Sequence, residues 1–198
     1  MADVPQQIQE YLTRNNVNTT RIVPLTGDAS DRRYYRILTQ DTPPFVLGLN
    51  AQPFEFETLP FVNVAKLLAK MPVPIPDIVG HEDDLGILAL QDLGDVTLQA
   101  HLGASSQKEH AALYRQAVSF IHTLQRRGAE LRDPKFISYG IAFDVDKLTW
   151  EMDFFIKHFL EAYRGVVFTA DDREALRAEL NVMVAELAAE PRVLCHRD

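Results

Sequence analysis

Almost every strand signal in this 198-residue chain falls before residue 91, and the remainder is almost entirely helical. A chain ordered this way predicts a small sheet built first and a helical region added after it, not an alternating parallel α/β fold. Within the first part, a helix is expected over Asp3 to Arg14, with Pro5 near its start and Ile8, Tyr11 and Leu12 at helical spacing. Two β-type runs, Arg21 to Leu25 and Arg33 to Leu38, flank the polar connection Thr26 to Asp31, which reads as a hairpin. Phe45 to Leu49 supplies a third strand after the turn-rich Thr39 to Pro44. A helix over Phe61 to Leu68 ends at Met71-Pro72, and two further strands lie near Asp77 to His81 and Ile87 to Leu90. Gln91-Asp92-Leu93-Gly94-Asp95 breaks the pattern, so residues 91–96 are the expected hinge between lobes spanning 1–94 and 95–198.

The second lobe reads as helices. Ser106-x-x-Glu109 is a capping pattern, followed by Leu113, Ala117, Phe120, Ile121 and Leu124 on one face and a stop at Gly128. Asp144 to Tyr163 carries Leu148, Met152, Phe155, Ile156 and Phe159, with Gly165 as the stop. Thr169-x-x-Asp172 opens a helix that Pro191 ends, and a brief apolar strand, Val193-Leu194-Cys195, runs into His196-Arg197-Asp198. The fold class is α+β.

Charge narrows the function. Twenty basic residues against 28 acidic ones give a net charge of −8, with no basic run to attract a phosphate backbone, so a nucleic-acid partner is not expected. No apolar stretch approaches the roughly 18 residues a membrane span needs. A single cysteine, Cys195, and an opening without a basic-then-apolar order imply a cytoplasmic protein. One cysteine and histidines without ligand spacing predict no protein-built metal cage.

His196-Arg197-Asp198 after a short apolar run is the catalytic-loop signature of protein kinases, in the structural place expected of it. Three residues alone mean little. Together with Gly27-Asp28-Ala29-Ser30-Asp31-Arg32-Arg33-Tyr34-Tyr35-Arg36, Pro60-Phe61-Val62, Leu90 to Asp95, Phe143-Asp144 and Glu151 to Phe155, the chain resembles the aminoglycoside phosphotransferase and choline kinase family. Within it, the similarity is to bacterial kinases that phosphorylate N-acetylmuramate or N-acetylglucosamine at the anomeric hydroxyl, enzymes of peptidoglycan recycling. The resemblance implies a protein-kinase-like fold: a small antiparallel sheet lobe with one helix, plus an incomplete helical lobe. It implies ATP with Mg2+, a sugar acceptor, and no membrane partner.

Asp198 is then the expected catalytic base for the sugar hydroxyl. Gly27, Asp28, Ala29 and Ser30 would cover the nucleotide phosphates, although a plain hairpin turn accounts for the same residues. The backbone of Gln91, Asp92 and Leu93 would meet the adenine edge. Strand alternation puts Arg32 and Arg36 on one face and Arg33 on the other. The third strand carries no lysine to hold phosphate, and Arg36 is the candidate replacement. Glu55 or Glu57 is either the partner of such a cation or an exposed acid near a helix N-terminus. His122 resembles a helix histidine with a structural role. Asp144 and Glu151 are candidates for the sugar site; Glu151 and Asp153 diverge by about 200° around a helix, so at most one of them points inward. The asparagine and aspartate that hold magnesium in the family would follow Asp198, so the chain reads as the front portion of a longer kinase, inactive alone. The other readings are a non-catalytic nucleotide- or protein-binding module of kinase-like fold, and a helical interaction domain with a small sheet.

Overall fold

The computed structural model describes residues 4–26, 32–103 and 106–196. Two compact units divide the chain between Leu124 and Gln125.

In the first unit, α1 (Gln6–Arg14) precedes β1 (Thr19–Leu25), β2 (Arg33–Thr39) and β3 (Phe45–Leu49). After a single 3-10 turn, α2 (Pro60–Leu68) leads to β4 (Ile78–Glu82) and β5 (Ile87–Gln91). The strands form one antiparallel sheet in the order β1-β2-β3-β5-β4. Pro24 sits in β1, an edge strand, where a missing N–H is tolerated. The α+β fold class and the kinase-like sheet expected from the sequence are therefore present.

Alternation along the strands sends successive side chains to opposite faces. On one face, Ile8, Tyr11 and Leu12 of α1 pack with Tyr35, Ile37, Leu47, Leu49, Ile87 and Ala89. Ile8, Ile37, Leu47 and Ile87 are fully removed from solvent, each worth roughly 1.5–3 kcal/mol of burial before entropy is counted. The opposite face takes α2: Val62 packs on Leu88 and Leu90, with Tyr34, Phe56, Leu59 and Phe61 around them. One β-bulge connects the two sets. The register skips between Ile78 and Gly80, so Ile78 joins the α2 side while Gly80 faces Tyr11. A Cβ at Gly80 would stand 2.8 Å from the Tyr11 hydroxyl, so a side chain there would have to displace the end of that ring.

Beyond β5 the chain forms α3 (Leu98–Leu102) and α4 (Gln107–Glu130), whose residue range crosses the division. At five residues, α3 is too short to register as periodicity; Thr97 caps it by accepting from the Ala100 N–H at 3.2 Å. The Ser106–Glu109 capping pattern forms as the sequence predicts.

The second unit holds α5 (Val145–Phe154), continued by a π-helical stretch Phe155–Tyr163, and α6 (Ala170–Ala189). Gly165, at φ +68°, ends the π stretch, and a complete capping box between Thr169 and Asp172 starts α6. Two expectations are corrected. Gly128 lies inside α4 and does not stop it; Leu194 packs where its side chain would be. Residues 193–195 form no strand; all the described strands belong to the sheet of the first unit. Phe136, Ile156 and Val184 are the only buried hydrophobic residues described after Leu90; Trp150, Phe154, Phe155 and Phe159 remain 41–53% exposed. Among the described residues, no helix is long and apolar enough to cross a membrane.

Candidate functional site

Strand β2 supplies the site's charge. Its alternation places Arg32, Tyr34 and Arg36 on the α2 face of the sheet, as the sequence predicts for the two arginines. Arg32 and Tyr34 line a narrow cavity with Gly48 and Asn50 of the β3 end, floored by Leu88 and Leu90 and walled by Leu59 and Phe61. Gly48 lies directly opposite Tyr34 in the β2–β3 ladder. It presents no side chain at all to the cavity, so Arg32 is the cationic side chain that lines it.

Arg36 pairs with Val46, which in turn pairs with Leu90, so Asp92 follows on the same face just past β5. The guanidinium meets it in a fork: Nε donates to Oδ2 at 2.6 Å and Nη2 to Oδ1 at 2.9 Å. Nη1 donates to Asp95 Oδ2 at 2.6 Å. The Arg36 and Asp92 side chains are 14% and 7% exposed, whereas Asp95 is 75% exposed. The Arg36 guanidinium holds the Asp92 carboxyl below the usual carboxylate range, aided by the Gly94 N–H donating to Asp92 Oδ1 at 2.9 Å. The same cation lowers Asp95.

Gln91 is anchored on its other side. Its N–H donates to the Asp77 carbonyl at 2.8 Å, and its side-chain Oε1 accepts from the Asp77 N–H at 3.2 Å. The N–H groups of Asp92 and Leu93 donate to no described residue. This leaves the two main-chain donors just past β5 without a described acceptor.

The other expected residues divide into those seen and those not. Gly27, Asp28, Ala29 and Ser30 lie outside the described residues, as does Asp198. Asp144 caps α5, accepting from the Lys147 N–H at 2.9 Å, and Glu151 pairs with Lys147 at 3.0 Å. Asp153 bonds Arg177 of α6 at 2.8 Å beside a small cavity between the two helices. Glu57 pairs with Lys66, and His122 is exposed on α4. No group of three or more His, Cys, Asp or Glu among the described residues is arranged to hold a metal ion. The Arg36–Asp92–Asp95 cluster could not be read from the sequence. Its members are 56 and 59 positions apart, and only the strand order joins them.

Residues 21–198 match the model of the phosphotransferase enzyme family. The chain is similar to the N-acetylmuramate/N-acetylglucosamine kinase of Neisseria meningitidis serogroup B, 28% identical over 173 residues, covering 87% of this chain and 49% of that protein. It is also similar to the protein of the same name from Pseudomonas aeruginosa, 29% identical over 182 residues, 92% of this chain and 50% of that protein. The chain spans about half the length of the curated relatives it matches. With a match over nearly its whole length and a five-stranded antiparallel sheet to carry it, this chain belongs to the phosphotransferase enzyme family.

Proposed function

We propose that the protein is an ATP-dependent cytoplasmic kinase of an amino sugar, N-acetylmuramate or N-acetylglucosamine, transferring phosphate to the anomeric hydroxyl. The observation that carries the reading is the similarity to two kinases named for those sugars, extending over 87% and 92% of the chain. In this reading, residues 1–94 form the nucleotide lobe and residues 95–198 form part of the helical substrate lobe. The adenine edge meets the main-chain donors of Asp92 and Leu93. Gly27, Asp28, Ala29 and Ser30 cover the phosphates, and Asp198 accepts the sugar proton. Arg36 already answers two carboxylates. Arg32, which faces the cavity without a described acidic partner, is the better phosphate cation. Asp144 and Glu151 are candidates for the sugar.

Mg2+ would neutralise the phosphate oxygens in such a reaction. The described residues offer no ligand set for it, so no step is assigned to the metal.

The test is ATP turnover with each sugar, by this chain and by a chain continued through the family's downstream metal-ligand motif. Sugar-dependent ADP release that Asp198→Asn abolishes supports the kinase. A second reading, a non-catalytic nucleotide-binding module, is favoured by Gly48 leaving β3 without a cation. Nucleotide binding with no turnover in either chain would establish it.

A further inference from the structure

We propose that Arg36 is a positioning residue for the nucleotide base: its paired grip on Asp92 sets the shape of residues 91–95, the main chain offered to the adenine edge. The inference rests on the kinase reading above and adds to it a residue that touches neither nucleotide nor sugar.

The need for such a device is visible in the segment itself. Leu93 is 69% exposed and Val96 is 75% exposed, so no apolar side chain anchors this stretch to the sheet. Gly94 adopts φ +76° with nothing near its missing Cβ, so the turn there is conformational and not forced by packing. What remains to fix the path is polar. Asp92 closes a local turn through the Gly94 N–H and is held from the sheet side by the two-bond fork from Arg36. Asp95 takes the third guanidinium contact. A fork fixes direction as well as distance, which a lysine at the same place would not do. The charge balance agrees with this assignment. One guanidinium faces two carboxylates, which leaves no surplus positive charge to attract a polyphosphate. The register places Arg36 beside Val46 and Leu90, at the end of the sheet where the chain leaves β5.

Three probes separate this role from phosphate binding: ATP, adenosine and inorganic tripolyphosphate, titrated calorimetrically against the full chain and its variants. Arg36→Lys and Asp92→Asn are each expected to weaken adenosine and ATP by on the order of tenfold, the equivalent of one charge-assisted hydrogen bond. Tripolyphosphate affinity stays unchanged. Thermal melts identify the folded variants, and Asp92→Asn carries the test if Arg36→Lys does not fold. Unchanged adenosine affinity in a folded variant overturns the inference, as does a selective loss of tripolyphosphate. An unmutated chain that binds no ATP overturns the kinase reading first, an outcome distinct from either.

Discussion

Tyr34 lies against Gly48 across the β2–β3 ladder so closely that a Cβ on the glycine would stand 3.2 Å from the ring's Cε1 and 3.6 Å from the Leu88 carbonyl oxygen. The contact decides how much the cavity beside Arg32 can change. Tyr34 is half-buried and borders open space, so its ring has room to move by a few tenths of an ångström. Gly48→Ala is therefore expected to leave stability within about 1 kcal/mol of the parent, the strand's gain in backbone order offsetting the push. Gly48→Val adds two methyls toward the ring and the carbonyl and should cost about 1–3 kcal/mol as overpacking. Urea unfolding of the two variants checks the ordering; equal midpoints would show that Tyr34 moves freely.

The acid limb of stability should be steep. Asp83 is held below the usual carboxylate range chiefly by the Phe56 N–H, at 2.9 Å, and by its bond to His81. Asp92 is lowered by Arg36. A carboxyl depressed in the folded state contributes stability that is complete above its unfolded pKa of about 3.9 and is lost as pH falls through the folded value. Unfolding free energy is therefore expected to stay level between about pH 7 and 5 and to fall below about pH 4. Asp83→Ala should reduce that slope, measured by denaturant titrations at each pH.

Legibility of the sequence followed the range of the interactions. Apolar and β-branched runs bounded by turn residues marked the strands, and the three-to-four spacing marked α2, because both signals are local. The capping boxes at Ser106 and Thr169 were readable for the same reason. Contacts between distant segments were not. The identity of Arg36 as a partner of Asp92 depends on β3 lying between β2 and β5, a topological fact no spacing reports. Gly128 has the composition of a helix stop, yet its reason for being glycine is Leu194, 66 positions on. The apolar faces read on the later helices translate into burial only in part: Ile156 is buried, whereas Leu113, Ala117, Phe120, Leu148 and Met152 are half-buried. Ile121, Phe155 and Phe159 are exposed.

Asp144 and Glu151 separate cleanly by experiment. Asp144→Ala removes the α5 cap and should cost about 1 kcal/mol whether or not a sugar binds. Glu151 pairs with Lys147 in the less favourable order along the helix and is 39% exposed, so Glu151→Gln should change stability by no more than a few tenths of a kcal/mol. A fall in sugar affinity for Glu151→Gln at unchanged melting temperature would place Glu151 at the sugar. Unchanged affinity would leave it as a helix-surface ion pair.

Gly128 and Leu194 offer the sharpest steric test. A Cβ at Gly128 would meet the Leu194 Cβ at 2.7 Å and its Cδ2 at 3.0 Å. The first of these atoms is attached directly to the backbone, so rotating the leucine side chain cannot relieve the contact. On helix propensity alone, Gly128→Ala would stabilise α4 by about 1 kcal/mol. The clash reverses the sign, and a net loss of about 1–3 kcal/mol is expected as residue 194 is pushed off the helix. Tyr139, whose hydroxyl donates to the Gly128 carbonyl at 2.7 Å, ties a second segment to the same point, so the helix cannot simply retreat. The rescue pattern identifies the atom responsible. Leu194→Ala keeps the Cβ and should not recover the loss, whereas Leu194→Gly removes it and should. Urea midpoints for Gly128→Ala alone and in both double variants decide the matter; recovery by Leu194→Ala would assign the clash to the leucine's outer carbons instead.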